Sequence, residues 1–270
     1  MKLVRLPLSA LKVSGIGACD FLHSVCTNDI KGLKPGEGIG TAFTDRFGKV
    51  IAISSVYSIG GYYVLVSDAA AHKPLMEHLK PSPLDKCAVE DLSGTYISFS
   101  SMWCAKRGEI IEGEFAGAKT LDMGNCLIDR ADFLVPVEHA ERFWEKAFEK
   151  GAAEDYEVYR IGKGLPEHGK DYDSSCMVLE LGLDNIISYD KGCYTGQEIV
   201  ARMKAYGGEL PKRVVMLRGD VKKGEKLFKD GKEAGNVTSS AGGFCIATVK
   251  KGFHSKGAEL DTESGKVVVG

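Results

Sequence analysis

The sequence predicts an α+β protein that carries a small β-barrel at its C-terminal end. Two patterns support this. Helical and extended segments come in blocks with few βαβ alternations, which argues against a doubly wound sheet. From Arg213 onward the texture changes to short apolar runs bounded by glycine, the pattern of barrel strands.

In chain order, Leu11 to Gly15 reads as an extended segment. A helix follows, with apolar positions at Ala18, Phe21, Leu22 and Val25, and Thr27-Asn28-Asp29 stops it. After a turn at Gly36-Glu37-Gly38, the runs Ile39 to Phe43 and Lys49 to Ser58 form a hairpin around Asp45-Arg46-Phe47-Gly48. Local hydrogen bonding accounts for Asp45 there as a turn residue. Gly60-Gly61 leads into a third strand, Tyr62 to Val66, and a helix over Ala69 to Leu79 ends at Pro81 and Pro83. Strands are expected at Cys87 to Leu92, Tyr96 to Phe99, Cys126 to Asp129 and Phe133 to Val137. Helices are expected over His139 to Lys150 and Tyr156 to Gly164, the former with Phe143, Ala147 and Phe148 on one side. The barrel strands fall near Val214 to Leu217, Lys226 to Phe228, Glu233 to Thr238 and Cys245 to Val249.

With 270 residues the chain has room for two or three domains, and Pro211 marks the expected boundary between a core over 1–210 and a barrel over 211–270. A formal net charge of -2 gives no global attraction to nucleic acid. The lysines between Lys212 and Lys232 alternate with acids and read as a solvated face. No apolar run reaches the ~20 residues of a membrane span. Met1 to Pro7 also lacks the features of a signal peptide, so a cytoplasmic protein without a membrane partner is expected. The eight cysteines form no Cys-x-x-Cys pair and the six histidines no ligand-spaced pair, so no metal site is expected and the thiols are expected reduced.

The most specific feature is Lys191-Gly192-Cys193-Tyr194-Thr195-Gly196-Gln197-Glu198. Asn185 to Tyr189 reads as a short strand before it. Thr195 and Glu198 fit a capping box that opens a helix through Ile199, Val200, Met203 and Lys204, closed by Gly207-Gly208. Cys193 then lies just before a helix N-terminus, where exposed N–H groups and the dipole favour a thiolate. Lys191 and Arg202 are the cations expected to lower its pKa further.

This octapeptide resembles the signature of YgfZ-type proteins, folate-binding relatives of the glycine-cleavage T-protein that support iron–sulfur proteins. The resemblance extends to Phe21-Leu22 with Thr27-Asn28-Asp29-Ile30, to Tyr159 through Pro166, to Val178 through Leu183 and to Gly231 through Ser239. It implies two interlocked α+β lobes around a central channel that holds tetrahydrofolate, followed by the barrel. It also implies that Arg160 and Arg202 pair with the folate tail, since guanidinium binds carboxylate bidentately. Asn28, Tyr194 and Gln197 are implied as further folate contacts, with core packing the alternative use of Tyr194.

Two departures from the T-protein matter. Aminomethyl transfer there depends on an aspartate soon after the first hairpin turn, whereas Phe47 to Ile53 here holds no carboxylate. A glutamate that meets the pterin ring in the T-protein is replaced by Gly162. Glu180 and Glu198 are the substitutes on offer, each with a structural alternative as a turn acceptor or a capping residue. The resemblance therefore implies a tetrahydrofolate-binding accessory factor for assembly or repair of iron–sulfur enzymes. It would act through Cys193 with Lys191, have carrier or client proteins as partners, and support tRNA modification indirectly, without contact to nucleic acid. The alternative is a working aminomethyltransferase.

Overall fold

A computed structural model describes residues 2–102, 108–115, 118–205 and 210–270; the anticipated Gly207-Gly208 helix end and Cys104 lie outside the described residues. By contact the chain divides into one unit of residues 1–46, 51–153 and 185–195, and a second of 47–50, 154–184 and 196–270.

The first unit is built on two sheets, antiparallel except for one short edge strand. One has the order β3-β4-β5-β2-β6, from strands β2 (Leu8–Ser14), β3 (Gly38–Thr44), β4 (Val50–Ile59), β5 (Tyr62–Asp68) and β6 (Ala88–Asp91). The other has the order β11-β1-β7-β10-β9-β8. It combines β1 (Lys2–Arg5), β7 (Tyr96–Ser101), β8 (Ile110–Phe115), β9 (Ala118–Gly124), β10 (Ala131–Pro136) and β11 (Glu149–Lys150), the last paired parallel to β1.

Helices α1 (Ala18–Val25) and α2 (His72–His78) cover one face of the five-stranded sheet: Phe21, Leu22 and Leu75 pack with Leu11, Val13, Ala52, Val56 and Leu65. The opposite face, with Ala10, Tyr57, Val64 and Val66, packs on Ile110, Leu121, Met123 and Leu134 of the other sheet. Residues 56 and 57, like 64 and 65, thus point to opposite covered faces, so β4 is buried along nearly all of its length, its three serines included. Helix α3 (Ala140–Glu145) closes the far side through Phe143 and Trp144 against Leu3, Phe99 and Val135. Each fully buried Leu or Phe contributes about 1.5–3 kcal/mol.

Three expected elements in this unit change. Cys126 to Asp129 is a bend rather than a strand, because Asn125 Oδ1 accepts the N–H groups of Leu127 and Ile128 and so turns the chain from β9 to β10. The helix expected through Lys150 stops at Glu145, since Glu149 and Lys150 leave it to pair with Lys2 and Leu3. Phe148 is then almost wholly exposed instead of sharing the core face with Phe143. Asn185 to Tyr189 is a 3-10 turn (Asp184–Ile186) and a loop, because its carbonyls are taken by side chains described below.

The second unit contains α4 (Ala153–Gly162), a 3-10 turn (Val178–Leu181), α5 (Gln197–Ala205) and a closed six-stranded barrel of order β12-β15-β14-β13-β16-β17. Its strands are β12 (Lys212–Arg218), β13 (Lys226–Lys229), β14 (Lys232–Ala241), β15 (Phe244–Lys250), β16 (Glu259–Asp261) and β17 (Lys266–Val269). The barrel is filled by Leu217, Leu227, Val237, Ala247, Val249, Leu260 and Val267. Gly235 lets β14 and β15 close up: at φ 157°, a methyl there would lie 2.1 Å from Thr248 O. A register shift between Val237 and Ser239 accompanies the use of both Thr238 and Ser239 in the polar network around Arg160.

Candidate functional site

The octapeptide loop belongs to the first unit up to Thr195, and the turn after α1 organises it. Helix α1 ends at Val25, the N–H of its cap residue Cys26 still reaches Leu22 O, and carbonyls of the last turn are left without helical partners. Lys191 Nζ donates to three carbonyls in this turn: His23 O at 2.5 Å, Cys26 O at 2.7 Å and Asn28 O at 2.9 Å. A cation at a helix C-terminus also answers its dipole. An ammonium has three donors, so none is left for Cys193. Burial lowers the pKa of Lys191.

The rest of the loop is tied to the same turn and to β3. Thr27 Oγ1 donates to Ile186 O at 2.6 Å, and Asn28 Nδ2 donates to Asn185 O at 3.0 Å and Gly40 O at 2.8 Å. Ser188 N donates to Thr27 O and Thr195 N to Ser24 O, while Thr44 Oγ1 donates to Thr195 O. Asn28 Oδ1 accepts Asp29 N–H, so both amide donors and the acceptor of Asn28 are engaged within the protein.

Tyr194 is buried, with its ring 5.1 Å from Lys191 Nζ, and burial pushes its hydroxyl up to about 12. Between these two inward-facing residues Cys193 is exposed. The other described cysteines are buried (Cys26, Cys176, Cys245) or half-buried (Cys19, Cys87, Cys126). Thiols that burial keeps protonated, such as Cys176 at about 12, are poor nucleophiles.

His23 is a member of this site that the sequence did not single out. A methyl on Gly192 would lie 3.8 Å from His23 Nε2, and His23 Nδ1 is 3.3 Å from Asp29 Oδ1. Burial and then the Lys191 charge lower its pKa, which favours the neutral imidazole. A separation of 169 positions between His23 and Gly192 hides this approach from any local motif.

The remaining expected residues lie in the second unit. Helix α5 begins at Gln197, and its first backbone acceptor is Gly196 O, reached by Val200 N, so Thr195 is not the cap. The expected capping box is absent: the Glu198 carboxylate pairs with Arg202 at 2.7 Å, i to i+4 along an exposed face. Gln197 is half-buried at the helix start.

Arg160 is fully buried. Nε donates to Glu157 Oε1, Nη1 to Leu165 O and Asp171 Oδ2, and Nη2 to Glu157 Oε2 and Ser239 Oγ. All five guanidinium donors are consumed, which leaves none for a folate carboxylate. Glu180 is buried and accepts Met177 N–H at 3.0 Å, the turn-acceptor use. It also lines a polar cavity of about 210 Å³ with Cys176, Asp173 and Lys212; none of the other expected residues lines it. Among the described residues no three His, Cys, Asp or Glu side chains are grouped to hold a metal ion.

No protein-family model matches the chain. A chloroplastic protein of Arabidopsis thaliana, whose name gives transferase as a provisional activity, is 26% identical over 260 residues, 86% of this chain and 60% of its own. The chain therefore spans three fifths of that relative's length. An aminomethyltransferase of Caldanaerobacter subterraneus subsp. tengcongensis is 26% identical over 275 residues, 88% of this chain and 71% of its own. The crystal structure of the glycine cleavage system aminomethyltransferase T from Bartonella henselae superposes at a TM-score of 0.82. That match covers 99% of this chain and 83% of the other at 16% identity. The chain has the aminomethyltransferase T fold. Within that fold, β4 carries no carboxylate from Val50 to Ile59, and Gly162 presents no acid; a methyl added there would lie 3.6 Å from the Phe244 ring.

Proposed function

We propose that the chain is a tetrahydrofolate-binding accessory protein for assembly or repair of iron–sulfur enzymes, and that it acts through the Cys193 thiol. The observation that carries this reading is the pinned loop in which Lys191 and Tyr194 turn inward and Cys193 stays exposed. An exposed thiol on a loop with independent anchors can meet a partner's iron, cluster or thiol without the fold having to open.

The folate part of the proposal rests on similarity to proteins named aminomethyltransferases and on their fold. The residues expected to cradle folate do not fit it as a set. Arg160 and Asn28 have no donors to give, and Glu198 and Arg202 pair with each other on an exposed helix face. A bound folate would add a one-carbon carrier, and its contacts must come largely from other side chains. Aminomethyl transfer is the second reading, favoured by the name of the Caldanaerobacter relative and opposed by the absence of a carboxylate along β4.

The deciding experiment is an anaerobic titration of tetrahydrofolate into wild type and Cys193→Ser, with the activity of a cluster-containing enzyme measured in cells carrying each. Binding by both proteins with lost cellular activity in the variant is the expected result. Absence of binding by either would remove the folate half, full cellular activity of Cys193→Ser would remove the thiol half, and transfer of a one-carbon unit from an aminomethyl donor would establish the second reading.

A further inference from the structure

Three side chains far apart in sequence form a hydrogen-bonded line in the first unit. Ser9 Oγ on β2 lies 2.9 Å from His72 Nδ1 at the start of α2, and His72 Nε2 lies 3.1 Å from Asp91 Oδ2 at the end of β6. The other carboxylate oxygen of Asp91 is held by the hydroxyl and the N–H of Ser93, the latter at 2.9 Å, which fixes the carboxylate's orientation. An ionised carboxylate only accepts, so it keeps the imidazole proton on Nε2 and leaves the Nδ1 lone pair facing the Ser9 hydroxyl. The ring nitrogens are exchanged relative to the serine-protease arrangement, but the roles of nucleophile, base and orienting acid are the same.

Ser9 and His72 both line a cavity of about 550 Å³, whose walls include Leu6, Leu8, Tyr96 and Ile97. That volume lies within the range of small-molecule sites, roughly 300–1,000 Å³, and apolar walls with a few convergent polar groups are their usual make-up. Ser9 itself is almost closed to bulk water. The cavity shares no lining residue with the Cys193 loop.

We propose that this cavity is a second, acyl-hydrolase site that takes small esters with an apolar acyl group. Ser9 is the nucleophile, His72 the general base and Asp91 the positioning residue. Ser9 Oγ forms a bond to the acyl carbon while its proton passes to His72 Nδ1. The ester C–O bond then breaks, and the leaving alcohol takes that proton. Water attacks the acyl-serine, His72 again accepts the proton and returns it to Ser9 Oγ, and the carboxylic acid departs. The balance is ester plus water to acid plus alcohol, with no oxidant or further reactant.

The test is reaction of the full chain with an alkyl fluorophosphonate, which phosphonylates activated serines, followed by peptide mapping. The expected result is a single adduct on Ser9, absent in Ser9→Ala and formed roughly a hundredfold more slowly in His72→Asn. Asp91→Asn presents an amide donor to Nε2 and shifts the imidazole proton to Nδ1. It should slow the maximal rate of labelling while leaving the half-saturating probe concentration unchanged, a split that a merely structural tie would not produce. Wild type that stays unlabelled at Ser9, or labelling that proceeds equally fast in His72→Asn, would overturn the proposal, whether or not Ser9→Ala folds.

Discussion

Lys191 Nζ stands 5.1 Å from the centre of the Tyr194 ring, so the two residues that bracket Gly192 and Cys193 meet over the turn that ends α1. The ammonium ties three carbonyls there and the ring is buried beside it, while Cys193 is left outside. The lysine thus serves as an anchor for the loop that presents the thiol.

Replacing the ammonium takes the side-chain donor from His23 O and Cys26 O, while Asn28 O keeps the Cys26 thiol at 3.4 Å. Lys191→Met is expected to destabilise the protein by about 1–3 kcal/mol, the cost of leaving partly buried acceptors unsatisfied. A urea titration checks this; an unchanged midpoint would mean the carbonyls do not depend on Lys191.

Thiol reactivity should follow exposure. Under native conditions Cys193 is expected to take the first iodoacetamide adduct among the described cysteines, and Cys26, Cys176 and Cys245 should react only after unfolding. Peptide mapping at limiting reagent decides it, and a first adduct at any of those three would contradict the loop geometry.

The two glycines of the octapeptide should differ. Gly196 has φ 84°, a left-handed conformation, so Gly196→Ala should cost about 1–3 kcal/mol. Gly192→Ala would place a methyl in ordinary contact with His23, 3.8 Å from Nε2, and should change stability by about 0.5 kcal/mol or less. Thermal melts of the two variants compare them directly; equal losses would refute the distinction.

Arg160 is expected to be a stability residue. Arg160→Met strands Glu157 and Asp171 around an uncharged side chain, and breaking such a buried pair costs about 3–5 kcal/mol. Equilibrium unfolding of the variant tests this. A loss below about 1 kcal/mol, the scale of an exposed pair, would be incompatible with the five-donor network.

Acid should weaken the same cluster. Burial raises the Glu157 pKa, but hydrogen bonds and charge from Arg160 and Lys170 outweigh it and hold the group at about 2, below its ordinary 4.5. A depressed carboxylate contributes stability that is complete above the unfolded value and is lost as pH falls from 4.5 toward 2. Glu157→Gln should flatten that part of the stability–pH curve; an unchanged slope would count against the pairing.

The sequence by itself determined the elements whose burial pattern is local. Helix α1, the β3–β4 hairpin, β5 and the four barrel strands β12 to β15 follow from apolar periodicity and from the glycines and polar residues that bound them. Strands β8 and β9 were not legible because their pairing, not their hydrophobicity, makes them strands: Ile111, Glu112 and Glu114 face solvent on an edge. The octapeptide marked Cys193 and Lys191, but only the tertiary structure decided which of them turns inward and which stays exposed. The partners of Lys191 are carbonyls more than 160 positions away, those of Arg160 include a serine 79 positions on, and Ser9, His72 and Asp91 meet across three elements. Periodicity records which face of an element is buried; which donor meets which acceptor depends on how distant segments are brought together, and no local pattern encodes that.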